Sequence, residues 1–195
     1  MRKRLKLKTF LIILGLFLFA FVTPLIVNGR IPEATKPVNV AYNEQQFIKE
    51  IGQEVQPIAK IYGVRPSIII GQILLETNNG KTLLSAKYHN SFSLPAQSGT
   101  NDVLLKTNKP IGSYPANSSV NFAQYKEWEG SIVDYFQVMS KGTLWDKQLY
   151  RSLSTEEGYK APAQAIQEYQ YPYDKTYASR LIKTIKKYDL THYDK

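Results

Sequence analysis

The first 29 residues divide sharply by polarity. "MRKRLKLK" holds five basic residues, and "TFLIILGLFLFAFVTPLIVNG" after it holds no charge. A basic flank ahead of about 18 apolar positions predicts a single membrane-spanning helix over 9–29, with residues 1–8 on the cytoplasmic side. If the segment is cleaved, it is a secretory signal instead. Either way the remainder of the chain is expected outside the cytoplasm. "RIPEATKPVNVAYN" carries two prolines and no helical period, which predicts a linker over 30–42 and a folded domain over 43–195.

Within that domain, Phe47, Ile51, Val55, Ile58 and Ile61 recur at helical spacing, with Asn43 as N-cap and Gly63 as stop. Pro57 inside the run is expected to kink or split it. "VRPSIIIGQILLETNNG" gives the strongest helical signal. Pro66 suits a first turn, and Ile68, Ile69, Ile70, Ile73, Leu74 and Leu75 cover nearly the whole circumference. A helix apolar all round belongs at the centre of a domain.

"KTLLSAKYHN" predicts a second, short helix. From 91 to 125 the chain turns rich in glycine, proline, serine and asparagine, with strands expected at Val103–Lys106 and Val120–Tyr125. Helical patterns return over Ser131–Ser140, Ala161–Tyr169 and Thr176–Tyr188, leaving long loops at 91–119 and 141–160. The pattern describes an α+β domain, mostly helical, with a small β-lobe and one N-terminal transmembrane helix ahead of it.

Composition narrows the function classes. The formal charge is +9, but the N-terminal segment supplies much of it. Without Arg2, Lys3, Arg4, Lys6, Lys8 and Arg30, 19 basic residues face 16 acidic ones, a net +3. That is too little to argue for nucleic acid as a partner. There is no cysteine, hence no disulfide framework and no lipid-modified N-terminal cysteine. The two histidines, His89 and His192, have no ligand-like companions in sequence, so neither a metal nor another cofactor is expected. No serine motif of the nucleophile-elbow type occurs.

One residue carries chemistry by its placement. Glu76 is the only acid in the central apolar helix and lies at its C-terminal end. The helix dipole repels a carboxylate there, and apolar neighbours withhold solvation. Both effects favour the protonated form, which a general acid for glycosidic cleavage must hold. The plainer alternative is a glutamate that points sideways into water.

The surrounding residues resemble a known family. "FIKEIGQEVQPIAKIYGVRPSIIIGQILLETNNGKTLLSAKYHNSFSL" is similar to the bacterial peptidoglycan N-acetylglucosaminidases, lysozyme-like hydrolases that include the flagellar-rod enzymes. Pro66, Gln72, Leu75, Glu76, Gly80, Lys81, Thr82, Asn90 and Phe92 carry the match. "FAQYKEWEGSIVDY" and "YPYDKTYASRLIKTIKKYDLTHYD" extend it colinearly, so that it covers nearly all of 47–194. The resemblance implies a lysozyme-like fold, peptidoglycan glycan strands as substrate, and Glu76 as general acid. It also implies Tyr171 beside that acid, with Gln72, Asn90 and Phe92 shaping the sugar groove.

There are departures. "TNNG" stands where the family has "S-G-W-G", which removes an aromatic that would flank substrate. The family often carries a second glutamate in the β-lobe, where this chain has Asn108 or Lys109. Asp102 is the best substitute, ahead of Glu127, Glu129 and Asp134. A two-carboxylate mechanism needs such a group. Single-carboxylate routes are assistance by the substrate's acetamido group and lytic transglycosylation, and a non-catalytic wall-binding protein is the remaining reading.

Overall fold

The computed structural model describes the backbone of residues 7–28 and 31–195, and the side chains of 7–21 and 31–195. The basic flank up to Lys6 lies outside the described residues. Two compact units are present, up to Pro32 and from Glu33 onward.

The first unit holds helix α1 (Leu7–Asn28). Among the described residues, no helix is long and apolar enough to cross a membrane. The transmembrane helix expected over 9–29 is therefore not recovered as such, and the side chains of its second part, 22–29, are not described. The apolar side chains of α1 that are described, including Phe10, Ile12, Phe17 and Phe19, are exposed.

In the second unit, α2 (Glu44–Ile61) opens with Asn43 in a capping box with Gln46. Pro57 neither ends nor splits it. The ring sits on the exposed face beside exposed Gln53, whose carbonyl can turn to water in place of the missing N–H.

Helix α3 (Pro66–Thr77) is the centre, as its all-round apolarity predicted. Ten of its 12 residues are buried, and it packs against α2, α8 (Tyr177–Lys187) and a terminal 3-10 turn, Leu190–Asp194. Arg65 gives α3 no side-chain cap. The far end of the chain supplies one: the Ser67 N–H and hydroxyl each donate to the Asp194 carboxylate at 2.8 Å.

The short helix α4 (Leu83–Tyr88) follows, and strands β1 (Asp102–Lys106) and β2 (Ser119–Ala123) pair antiparallel with Leu104 opposite Asn121. Leu105, Val120 and Phe122 form a small separate core with Ala34, Leu84 and Ile111. The stretch read as a linker contributes here. The Ala34 N–H donates to the Lys106 carbonyl, and the N–H groups of Leu83 and Leu84 donate to the carbonyls of Lys36 and Ala34. Residues 34–36 thus stitch the end of β1 to the start of α4.

The remaining helices are α5 (Trp128–Lys141), α6 (Lys147–Thr155) and α7 (Lys160–Gln170). Helix α6 lies inside the stretch expected as loop. Only Leu149 and Leu153 anchor it in the core, so its polar sequence masked it, although the Asp146 N-cap and the i, i+4 leucine pair were available signals.

Candidate active site

Helix α3 ends in a tight reversal. Asn78, Asn79 and Gly80 all adopt positive φ, conformations that asparagine tolerates and glycine favours. A side chain at Gly80 would strike the Phe47 ring, its Cβ lying 2.6 Å from Cε2. Thr77 closes the turn, donating to the Ile73 carbonyl at 2.7 Å and accepting from the Gly80 N–H at 2.8 Å. This reversal delivers Glu76 to the cleft between α3 and the β-lobe with its side chain only 5% exposed. The solvent-pointing alternative is thereby removed.

A cavity of about 320 Å³ opens on Glu76, lined also by Leu75, Lys109, Tyr171, Tyr173 and Tyr177. Across it, the Lys109 ammonium forms an ion pair with the Glu76 carboxylate. The same ammonium lies 5.3 Å from the centre of the Tyr171 ring. Lys109 is carried on the β1–β2 connection, where Thr107 accepts from the Lys109 N–H at 3.2 Å and donates to its carbonyl at 2.6 Å. Asn108 donates to the Thr35 hydroxyl at 2.9 Å. The position expected to hold a second acid therefore holds a cation aimed at the first.

The wall on the α3 side is a stack of phenols. Tyr171 and Tyr177 lie parallel, ring centres 3.9 Å apart. Burial, and next the charge of Glu76, push both hydroxyls well above the usual phenol range, so both stay protonated and available as donors. The Tyr177 hydroxyl is buried beside the Glu76 carboxylate and the Tyr171 hydroxyl, and both add to its shift.

Beneath them runs a closed polar network. The Gln72 amide donates to the Gln170 carbonyl oxygen at 2.7 Å, and the Tyr135 hydroxyl donates to Gln72 Oε1 at 2.9 Å. Gln170 Nε2 donates back to Tyr135 at 3.1 Å.

Three residues expected in the sugar groove belong to this support instead. Gln72 is 1% exposed and works inside the network. Asn90 is 2% exposed, and its amide donates to the carbonyls of Leu94 and Ala123, tying the β-lobe to the loop after α4. Phe92 is buried and stacked on Tyr135 at 3.9 Å.

Asp102 is exposed at the start of β1, the end remote from Lys109, and does not line the cavity. It lies four steps along the strand from Lys106, about 13 Å at the usual rise. The structure does not bring it to the cavity on Glu76. Asp134 accepts from the Tyr125 hydroxyl at 2.5 Å and is structural. Glu127 and Glu129 sit at the start of α5, and neither lines the cavity.

Among the described residues, the one other carboxylate lining the cavity is Asp174. A hydrogen bond from the Thr176 hydroxyl, and the Arg180 guanidinium, hold it below its ordinary range. Tyr173, Tyr177 and Arg180 were not singled out from sequence; the "YPYDKTYASR" run that contains them was matched for Tyr171 alone.

Residues 52–190 match the glucosaminidase family, described as mannosyl-glycoprotein endo-beta-N-acetylglucosaminidase. The chain is 30% identical to the exo-glucosaminidase LytG of Bacillus subtilis, over 99% of this chain and 70% of that protein. Among solved structures, the catalytic domain of the autolysin Auto from Listeria monocytogenes superposes with a TM-score of 0.68 at 29% identity, covering 80% of this chain and 90% of that one. The glycoside hydrolase domain of Salmonella typhimurium FlgJ shares the fold, with a TM-score of 0.58 at 17% identity over 77% of this chain and 91% of that domain.

Proposed function

The chain belongs to the glucosaminidase family of glycoside hydrolases, and on that premise we propose that it cuts peptidoglycan glycan strands after N-acetylglucosamine with Glu76 as the general acid. The observation that carries this reading is the buried Glu76 side chain at the floor of a sugar-sized cavity. Lys109 occupies the carboxylate in the free enzyme. A glycosidic oxygen that reaches Glu76 must share the carboxylate with that ammonium or displace it.

Opposite Glu76 the β-lobe offers Asn108 and Lys109 and no carboxylate. This favours the single-carboxylate route in which the sugar's own acetamido oxygen attacks the anomeric carbon while Glu76 protonates the departing oxygen. The protonated hydroxyls of Tyr171 and Tyr177 are suited to donate to the acetamido group or to Glu76 itself.

The test is Glu76→Gln in the full-length protein. Cleavage is expected to fall by about 10²–10⁴-fold, the usual scale for a general acid, with unchanged circular dichroism and melting. Normal digestion by that variant would overturn the assignment.

We also infer a membrane-anchored location, single-pass, with the catalytic domain over 43–195 facing the cell wall. The basic run of 1–8, the uncharged run of 9–29 and the exposed apolar side chains of α1 support it. Fractionation checks it: the protein should stay with membranes through a high-salt wash, and recovery in the salt-soluble fraction would contradict it.

A further inference from the structure

The two members of the Glu76–Lys109 ion pair are carried on different elements, and one short segment, 33–38, holds both carriers. On the β side, Glu33 bridges Lys106 in parallel, and the Ala34 N–H donates to the Lys106 carbonyl at 2.9 Å. On the α side, Pro37 bridges Thr82, and the Val38 N–H donates to the Lys81 carbonyl at 2.9 Å. The N–H groups of Leu83 and Leu84 donate back to the carbonyls of Lys36 and Ala34 at 2.8 and 3.0 Å. Lys81 and Thr82 directly follow the reversal that delivers Glu76, and Lys106 stands three positions ahead of Lys109. Ala34 is 3% exposed and packs in the small core with Leu84 and Leu105, so an apolar plug seats the segment as well as its backbone. A stretch expected as linker is a strap across the β-lobe.

Thr35 is the strap residue that lines the Glu76 cavity. It is half-buried, and its hydroxyl accepts from the Asn108 amide at 2.9 Å. That bond ties down the neighbour of Lys109. From within the connection, the buried Thr107 hydroxyl bonds the N–H and the carbonyl of Lys109 itself. The backbone under Lys109 is therefore held from inside by Thr107 and from outside by Thr35. A lysine stem is long and rich in rotamers, so where its ammonium spends its time depends on how firmly that backbone is held.

We propose that Thr35 is a positioning residue of the catalytic cleft: through Asn108 it sets where the Lys109 ammonium stands against Glu76, while the strap fixes the spacing of the two carriers. The role rests on the reading of Glu76 as the acid. A threonine that merely fills the lobe edge would affect stability alone.

The experiment measures initial rates on solubilised wall glycan, together with thermal melting, for full-length Thr35→Val, Asn108→Ala and Thr35→Ser. Thr35→Val and Asn108→Ala each remove the one hydrogen bond. Each should move kcat/KM by about two- to tenfold, the scale of one neutral hydrogen bond, in the direction in which Lys109→Ala moves it. Melting should shift by no more than about 2 °C. Thr35→Ser keeps the hydroxyl and should restore the wild-type rate. Added to Lys109→Ala, neither Thr35→Val nor Asn108→Ala should change kcat/KM further, because residues that act through one group do not add.

The proposal is overturned if kcat/KM is unchanged in Thr35→Val and Asn108→Ala, or if Thr35→Ser behaves like Thr35→Val. It is overturned also if the effect persists in the Lys109→Ala background, or if activity falls only in step with the melting temperature. Should Thr35→Val fail to fold, Asn108→Ala with and without Lys109→Ala decides alone. Failure of the Glu76 reading would look different: Glu76→Gln would digest walls at the wild-type rate.

Discussion

The two walls of the Glu76 cleft are built on opposite terms. The α wall is a closed set of buried side chains, Gln72, Tyr135 and Gln170 under Tyr171, whose hydrogen bonds are satisfied within the protein. The β wall is a half-exposed connection held by Thr107, by Asn108 on Thr35 and by the ion pair of Lys109 with Glu76. Across the top, Tyr173 donates weakly to the Pro110 carbonyl at 3.5 Å. Interactions of the first kind are unconditional, because nothing that binds replaces them. Those of the second kind stand at the opening through which, on the proposed reading, a sugar reaches Glu76. The fold thus backs Glu76 with contacts that stay and faces it with contacts that a ligand can exchange.

Breaking the α wall should have the larger effect on stability. Gln72→Leu removes one donor and one acceptor from a dry network and strands Gln170 and Tyr135. At about 1–3 kcal/mol per unsatisfied buried group, a loss of about 2–3 kcal/mol is expected, visible as a melting temperature several degrees lower. A melting curve within a degree of wild type would show that the network is not what holds the floor.

Lys109→Ala should behave in the opposite way. The Lys109 side chain is 22% exposed, and truncating it lets water in the cleft reach the Glu76 carboxylate, so stability should move by no more than about 1 kcal/mol. The catalytic constants should move more, with kcat/KM changing about tenfold, because Glu76 loses its resting countercharge. Equal stability losses in both variants would erase the distinction between the walls.

The smallest effect concerns charge that is not compensated. Glu54, on α2, has no ion-pair partner among the described residues. Burial, and after it the charges of Glu129, Glu127 and Glu50, push its carboxyl up to about 7 from an ordinary 4.5. The folded state therefore holds a proton more tightly than the unfolded chain. The associated stability is present below about pH 4.5 and is lost as pH rises through about 7. Because Glu54 is partly exposed, solvent screening limits the term to about 1 kcal/mol. Glu54→Gln should match wild type at pH 4 and be more stable at pH 8. A wild-type advantage at pH 8 would contradict this.

The same contrast decides what could be read in the sequence. Helix α3 was legible because six aliphatic residues in a row of turns admit no solvent face, and Glu76 stood out against them. The role of Gln72 and Asn90 was not legible. A polar side chain in a one-dimensional pattern looks like surface or substrate contact, and only tertiary closure shows that its partners are Gln170 or Ala123. Pro57 does not split α2, because the rule for proline in helices does not know which face meets water. Lys109 could be placed opposite Glu76 only by way of the resemblance, as the residue occupying an acid's position. That it reaches across 33 residues to pair with Glu76 is a product of the β1–β2 connection, which local pattern does not encode.

Identifying the ends created in digested walls bears most directly on the central claim. Purified peptidoglycan is incubated with the full-length enzyme and the soluble fragments are analysed by mass spectrometry. Fragments with reducing N-acetylglucosamine ends are expected, and none should form with Glu76→Gln. Anhydro-muramic ends, or the same reducing ends from the Glu76→Gln protein, would contradict hydrolysis driven by this one carboxyl group.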